Sequence, residues 1–279
     1  MSELRFNLGG IIISLVSLDK TKKLAPYEVY KSFITSGKPD AVLRLNKELL
    51  PRLKAKTQIF DSGGTWSLFR QNGNYILKIF DRTVIFNQDF TCGDIYLNNA
   101  SRNDYLACPL EYPLSEVLMI NLLARDRGII IHGCGVMHKG EGLLFIGSSG
   151  AGKSTIANLW KDEKDTAVLS DDRIIIRKIG SKFWMYGTPW HGDAKLASPE
   201  RVFLKKIFFL KHYLENRVCK ISPLDIVSRL IVCSFPPFWN KEGLDFTLGF
   251  CTELARDIPS YELGFVADKS VLDFIRTKT

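Results

Sequence analysis

The 279-residue sequence has no apolar run long enough to cross a bilayer. Residues 128–132 and 143–147 are among its longest apolar stretches, whereas a spanning helix needs about 20 apolar residues. The N-terminus carries an early acid, Glu3, and no small-residue cleavage site follows its short apolar stretch. It therefore reads as a first β-strand and not as a secretory signal. The six cysteines (Cys92, Cys108, Cys134, Cys219, Cys233 and Cys251) form no C-x-x-C pair and no His/Cys cluster, which excludes the usual zinc spacings and points to free thiols in a reducing cytoplasm. Internal repeats and low-complexity tracts are lacking as well.

What is present is a globular composition, 46% hydrophobic and 24% charged, so disorder is not expected. The net charge of +8 is spread along the chain without a basic cluster. Neither a nucleic-acid nor a membrane partner is expected from it; a nucleotide or an acidic peptide would equally be drawn to a basic surface.

Up to about residue 110, short β-branched or aromatic runs alternate with turn signals, at residues 9–16, 41–45, 66–70, 75–80 and 84–87. Asn72-Gly73 between two of these runs is a hairpin signal. A β-rich N-terminal domain, residues 1–112, follows. Pro109 and Pro113 punctuate the chain, and residues 114–126 then place apolar side chains at helical spacing, predicting an amphipathic helix that opens a second domain, residues 113–279. There the pattern becomes strand, loop, helix, strand: runs at 128–133, 136–138 and 143–146, a helix at 153–162, and a run at 167–169. That order predicts an α/β layer architecture. Downstream, a buried strand is expected at 207–210, with helical segments broken by Pro223, Pro236-Pro237 and Pro259.

Gly147, Ser148, Ser149, Gly150, Ala151, Gly152, Lys153 and Ser154 match the phosphate-loop pattern G-x-x-x-x-G-K-[ST], and Thr155 follows. An apolar strand precedes the loop and a helix-compatible run follows it. Glycines let backbone N–H groups turn toward phosphate oxygens, and the helix N-terminus adds partial positive charge. Lys153 is expected to reach the β- and γ-phosphates of ATP and Ser154 to ligate Mg²⁺.

Phosphoryl transfer also needs a second metal contact and a base. Asp171-Asp172 ends the apolar run 167–169, and a strand neighbouring the loop strand would deliver both to the ligand-binding edge of the sheet. Adjacent strand residues face opposite ways, so one carboxylate can face metal while the other faces the acceptor or packs on the loop. The competing structural role is a cap on the turn after the strand. His132 ends the strand upstream, where a histidine is commonly a hydrogen-bonded core or turn residue. The block 187–193, GTPWHGD, is a turn-rich loop holding a Trp, a His and an Asp, and it either lines a site or folds as a tight turn anchored by Trp190.

Four blocks in this order, IIIHGCGV (129–136), LLFIGSSGAGKST (143–155), LSDDR (169–173) and YGTPWHGD (186–193), resemble the HPr kinase/phosphorylase superfamily, and particularly the HPr-kinase-related proteins that include lasso-peptide precursor kinases. The resemblance implies an α/β P-loop kinase domain with a mixed sheet, related to ATP-type phosphoenolpyruvate carboxykinases, preceded by the β-rich domain. It implies a serine hydroxyl of a peptide or protein as acceptor. Carried over by position, His132 would sit near the phosphates, Lys153 and Ser154 would hold ATP and Mg²⁺, and Asp171 with Asp172 would supply the base and a metal contact, Asp171 beside Ser154. A further signature segment of HPr kinase/phosphorylases has no clear counterpart here, so phosphorylase activity and HPr as substrate do not carry over. A non-catalytic nucleotide switch that presents a peptide, and a kinase of a small metabolite such as free serine, are the competing readings. The oligomeric state, self-association included, stays open.

Overall fold

The computed structural model describes residues 2–18, 24–53, 56–98 and 108–278. They form two compact units, Met1–Leu122 with Pro237–Lys241, and Leu123–Pro236 with Glu242–Thr279. Each is built on one mixed eight-stranded sheet, and few helices accompany the strands.

In the first unit, β1 (Ser2–Leu8) and β2 (Ile11–Ser17) form a hairpin. Gly9 and Gly10 are its turn, so the strand expected at 9–16 begins later and has an antiparallel partner before it. β3 (Ala41–Leu45) pairs parallel with β2, and β8 (Cys92–Leu97) parallel with β3. β7 (Arg82–Phe86), β6 (Asn74–Ile79), β5 (Trp66–Gln71) and β4 (Thr57–Asp61) then continue the sheet as an antiparallel meander. Leu68, Leu77, Val84 and Ile95 stand opposite one another across these strands and are fully buried. The β5–β6 turn is Asn72 at φ 48° and Gly73 at φ 80°, the two positive values a tight hairpin needs.

The helix after Pro113, α2 (Leu114–Leu123; the short α1 is Glu28–Lys31), differs from its expectation. It is buried along its length, including Ser115, Glu116 and Asn121, because its apolar residues surround the axis instead of forming one stripe. The division between the two units falls after Leu122. Residues 237–241 also return to the first unit: the Trp239 ring packs 5.2 Å from Phe60 and 5.9 Å from Trp66, and its Nε1 donates to Asn121 Oδ1 at 3.0 Å.

In the second unit, the two runs expected at 128–133 and 136–138 are one strand, β9 (Ile129–His138). Its first half pairs with β12 (Arg173–Ile179), and its second half is flanked by β10 (Glu141–Ile146) and β11 (Thr166–Ser170). β13 (Lys182–Tyr186) joins β12 to β14 (Arg201–His212), which runs parallel to both β10 and β16 (Ser260–Phe265); β15 (Arg217–Lys220) closes the edge. Side chains of β10 alternate between two cores. Leu144 and Ile146 join Ile207 and Phe209 under α4 (Pro223–Val232) and α5 (Lys241–Asp257). Leu143 and Phe145 join Phe208 and Leu210 under α3 (Lys153–Trp160) and α6 (Ser270–Lys278). A strand buried on both faces reads as an unbroken apolar run, and the glycine-rich loop leaves the end of such a strand. Among the described residues no helix is long and apolar enough to cross a membrane.

Candidate active site

The segment between β10 and α3 makes one wall of a cavity of about 310 Å³. Gly150 and Gly152 hold φ of 79° and 98°. Gly152 is the N-cap of α3, no side chain caps the helix there, and a Cβ on it would lie 2.5 Å from Phe265. Among the described residues the first N–H groups of α3 thus have no side-chain cap, which is the arrangement that receives anions at helix N-termini. Lys153 is buried and its Nζ donates to the carbonyls of Gly147 and Ser148 at 2.8 and 3.0 Å. Burial lowers its pKa, with Asp172 and the nearby thiols Cys233 and Cys134 opposing the shift. This ammonium has carbonyl partners but no ion-paired carboxylate within the salt-bridge distance among the described residues.

The facing wall comes from β9 and the junction of β11 with β12. The strand carrying the acids does not neighbour β10: β9 lies between them. The acids reach the cavity because β11 and β12 are interrupted at Asp171-Asp172 beside Gly133, whose N–H donates to the Asp172 carbonyl at 2.9 Å. Gly133 is also the β9 partner of Ile146, the last residue before the glycine loop.

The two carboxylates do different things. Asp171 is 1% exposed, and its oxygens accept the N–H groups of Gly192, Ala194 and Leu196 at 2.9, 2.8 and 3.3 Å. It organises the turn at 192–196, the structural role that aspartates so often play in loops, while its side chain also forms part of the cavity wall. A Cβ at residue 192 would stand 2.9 Å from Asp171 Oδ2, so glycine is needed there for space. Asp172 instead meets His132 Nε2 at 3.2 Å and Arg173 Nη1 at 2.6 Å. Burial alone would raise the Asp172 pKa, but the His132 hydrogen bond and the charges of Arg173, His132 and Lys153 outweigh it, and the carboxyl is held below its ordinary range. His132 is fixed by its own N–H, which donates to the Cys233 carbonyl at 2.7 Å, and the Arg173 guanidinium stacks 5.0 Å from the Phe235 ring.

The block 187–193 supports this wall. Thr188 Oγ1 donates to the Arg173 carbonyl at 2.5 Å and Ser170 Oγ to the Trp190 carbonyl at 2.7 Å. Trp190 itself is buried, the anchor of the turn.

Of the residues expected from the sequence, His132, Ser149, Gly150, Gly152, Lys153, Ser154, Thr155, Asp171 and Asp172 line the cavity together. Gly147 and Ser148 do not line it; their carbonyls hold Lys153. Ala151 packs into the core beneath α3. Asp193 and His212 also line the cavity. His212 had no signal in its immediate neighbours: it ends β14, the parallel neighbour of β10, and its Nε2 donates to the Gly150 carbonyl at 2.8 Å. Only the pairing of those strands puts it beside the loop, at the sheet edge where α/β ligands bind.

Among the described residues no group of three or more His, Cys, Asp and Glu side chains could hold a metal ion by itself. Magnesium does not require one, since it commonly takes one or two carboxylates with phosphate oxygens and water.

No protein-family model matches the chain, and no curated protein matches its sequence. The solved structure of the Hpr(Ser) kinase/phosphatase from Coxiella burnetii is similar to part of this chain at 11% identity and a TM-score of 0.31, over 53% of this chain and 91% of that one.

Proposed function

We propose that this protein is an ATP-dependent kinase that transfers the γ-phosphoryl group to a hydroxyl, with a serine of a peptide or protein as acceptor. One observation carries the reading: a buried ammonium and the uncapped N-terminus of α3 share a cavity with a histidine-paired carboxylate. An anion matches the first wall and a hydroxyl proton the second.

In the proposed reaction the α3 N–H groups and the backbone around Gly150 and Gly152 cradle the phosphates. Lys153 exchanges its two carbonyl partners for phosphate oxygens, so its charge becomes matched on binding. His212 holds the loop through the Gly150 carbonyl. The acceptor hydroxyl approaches from the side of Asp172 and His132, and this pair takes its proton as the new oxygen–phosphorus bond forms and the bond from the γ-phosphorus to the bridging oxygen breaks, releasing ADP. Transition states of this kind are loose, so positioning and charge neutralisation supply most of the acceleration and proton removal a smaller factor. Asp171 positions the 192–196 turn. Three of its roughly four acceptor positions are occupied by N–H groups, which leaves it one for a metal contact beside Ser154; Mg²⁺ bound there would neutralise phosphate charge. The serine acceptor and the peptide class rest on the family resemblance of the four sequence blocks.

The test is mass spectrometry of the full chain incubated with Mg-ATP and a library of serine-containing peptides, with free serine in a parallel reaction. A gain of one phosphate on a peptide is the expected result. Phosphate on free serine alone would move the acceptor to a small metabolite, and tight ATP binding with no transfer would leave a nucleotide switch.

A further inference from the structure

In the second unit β12, β13 and β14 lie side by side, and their alternate residues form rows across one face of the sheet. The pairing sets three rows: Ile175, Tyr186 and Arg201; Arg177, Trp184 and Phe203; and Ile179 with Lys182. The opposite face, with Ile174, Ile176, Phe183, Met185, Val202 and Leu204, is core. The rows are buried at one corner, at Ile175 and Tyr186, and open away from it, where Phe203 is 38% and Ile179 45% exposed. Lys182 and Arg201 are exposed as well.

These rows hold cations, aromatic rings and two isoleucines, and no acid. Arg177 Nε donates to the Arg127 carbonyl at 3.0 Å. Lys182 and Arg201 have no ion-pair partner among the described residues; each lies on a ring instead. The Arg201 guanidinium stands 4.6 Å from the Trp184 ring and donates through Nη1 to the Tyr186 hydroxyl at 3.3 Å, and the Lys182 ammonium stands 4.5 Å from the Phe203 ring. The Trp184 and Phe203 rings meet at 3.7 Å. Carboxylates close in sequence are engaged elsewhere: Glu141 stands 3.5 Å from Lys205, and Glu200 accepts the Ser198 hydroxyl at 3.1 Å. A cation set on a ring keeps its outward N–H donors for an anion, whereas the ring face it covers is closed to a stacking nucleobase. Lys182 and Tyr186, the partner of Arg201, are four residues apart in β13, about 13 Å. Two acids four residues apart in an extended chain span the same distance, and the residue midway between them faces the same way.

We propose that this sheet face docks an extended acidic segment of a polypeptide partner, with two carboxylates four residues apart and an apolar residue midway. One carboxylate meets Lys182, the other meets Arg201, and the apolar side chain lies on the exposed part of Phe203 beside Trp184. Charge complementarity carries the choice of partner, and the covered rings favour a peptide over a single-stranded nucleic acid. That the segment belongs to the acceptor of phosphoryl transfer rests on the kinase reading; the docking itself does not.

The probe is a labelled, amidated peptide, GGESLSEGG, titrated by fluorescence anisotropy into the full chain without ATP. Saturable binding at least tenfold tighter than that of GGQSLSQGG, and weakening as salt rises, is expected. Lys182→Glu/Arg201→Glu weakens it at least tenfold. Lys38→Glu/Lys220→Glu, an equal change of charge at exposed positions outside these rows, weakens it less than twofold; a thermal melt of each variant verifies folding. Absence of saturable binding, or equal loss in the two double variants, overturns the proposal. So does tighter binding of a labelled thymidine trinucleotide of the same charge, which would make the face a nucleic-acid surface. Should the first double variant fail to fold, Arg201→Gln alone serves, with at least a threefold loss expected and no change overturning the site. Because ATP is absent, failure here leaves the kinase reading standing, and failure of phosphoryl transfer leaves this binding standing.

Discussion

The two walls of the glycine-loop cavity are built on opposite principles. The glycine-loop wall is made largely of backbone, its helix N-terminus has no side-chain cap, and its buried lysine has no ion-pair partner among the described residues. The facing wall is made of side chains whose polar atoms already answer one another: Asp171 with three N–H groups, Asp172 with His132 and Arg173. Under the proposed function the first wall is the one a ligand completes, whereas the polar atoms of the second already have partners. Removing groups from the first should therefore weaken binding, whereas removing them from the second should alter reactivity or stability.

The sharpest way to break that contrast is Lys153→Ala. Phosphoryl transfer is expected to fall by about 10³-fold or more, the scale of losing a principal charge on the transferred group. Calorimetry should show much weaker ATP binding with little change in melting temperature. Unchanged ATP affinity would remove the loop wall from the site. On the other wall, Asp172→Asn should lower turnover by about 10²–10⁴-fold, the range of positioned acid–base groups, while ATP affinity stays close to that of the parent; normal turnover would dismiss Asp172 as part of the base.

Its neighbour separates the two functions within one wall. Asp171→Asn places an amide NH₂ where backbone N–H groups donate, and the lost charge-assisted bonds should destabilise the fold by about 1.5–3 kcal/mol. A drop in melting temperature larger than that of Asp172→Asn is the expected reading. The smallest effect is in pH. The folded Asp172 pKa is lowered, so its contribution to stability is complete above the unfolded carboxylate value, about 3.9, and is lost as pH falls through the folded value. The stability difference between the parent and Asp172→Asn should be constant at neutral pH and shrink only in acid below about pH 4. A difference that already shrank well above the carboxylate range would mean that ionisation of Asp172 does not control it.

Where chemistry is local, the residues announced it. The strand Ala41–Leu45 and the Asn72-Gly73 turn lie where alternation and turn composition place them, because both depend on neighbours a few positions away. The run from strand to loop to helix around residues 143–160 was legible for the same reason. β9 was not: Gly133 and Gly135 look like breakers, yet Gly135 sits in a strand whose neighbours leave no room, a Cβ there meeting the Ile174 side chain at 2.5 Å. The return of Trp239 to Phe60 and Trp66 joins residues far apart in sequence, and no local pattern encodes that.

By itself, the sequence determined which groups are available: a glycine-rich turn able to adopt positive φ, a lysine following it, adjacent acids and a histidine at a strand end. These follow from residue type and short spacing. Tertiary structure alone decided how the groups are spent, turning Asp171 toward the 192–196 turn and Asp172 toward His132, and bringing His212 to the loop from the neighbouring parallel strand. The physical reason is that a carboxylate's role depends on which donors surround it, and here those donors come from segments brought together by strand pairing and not by sequence proximity.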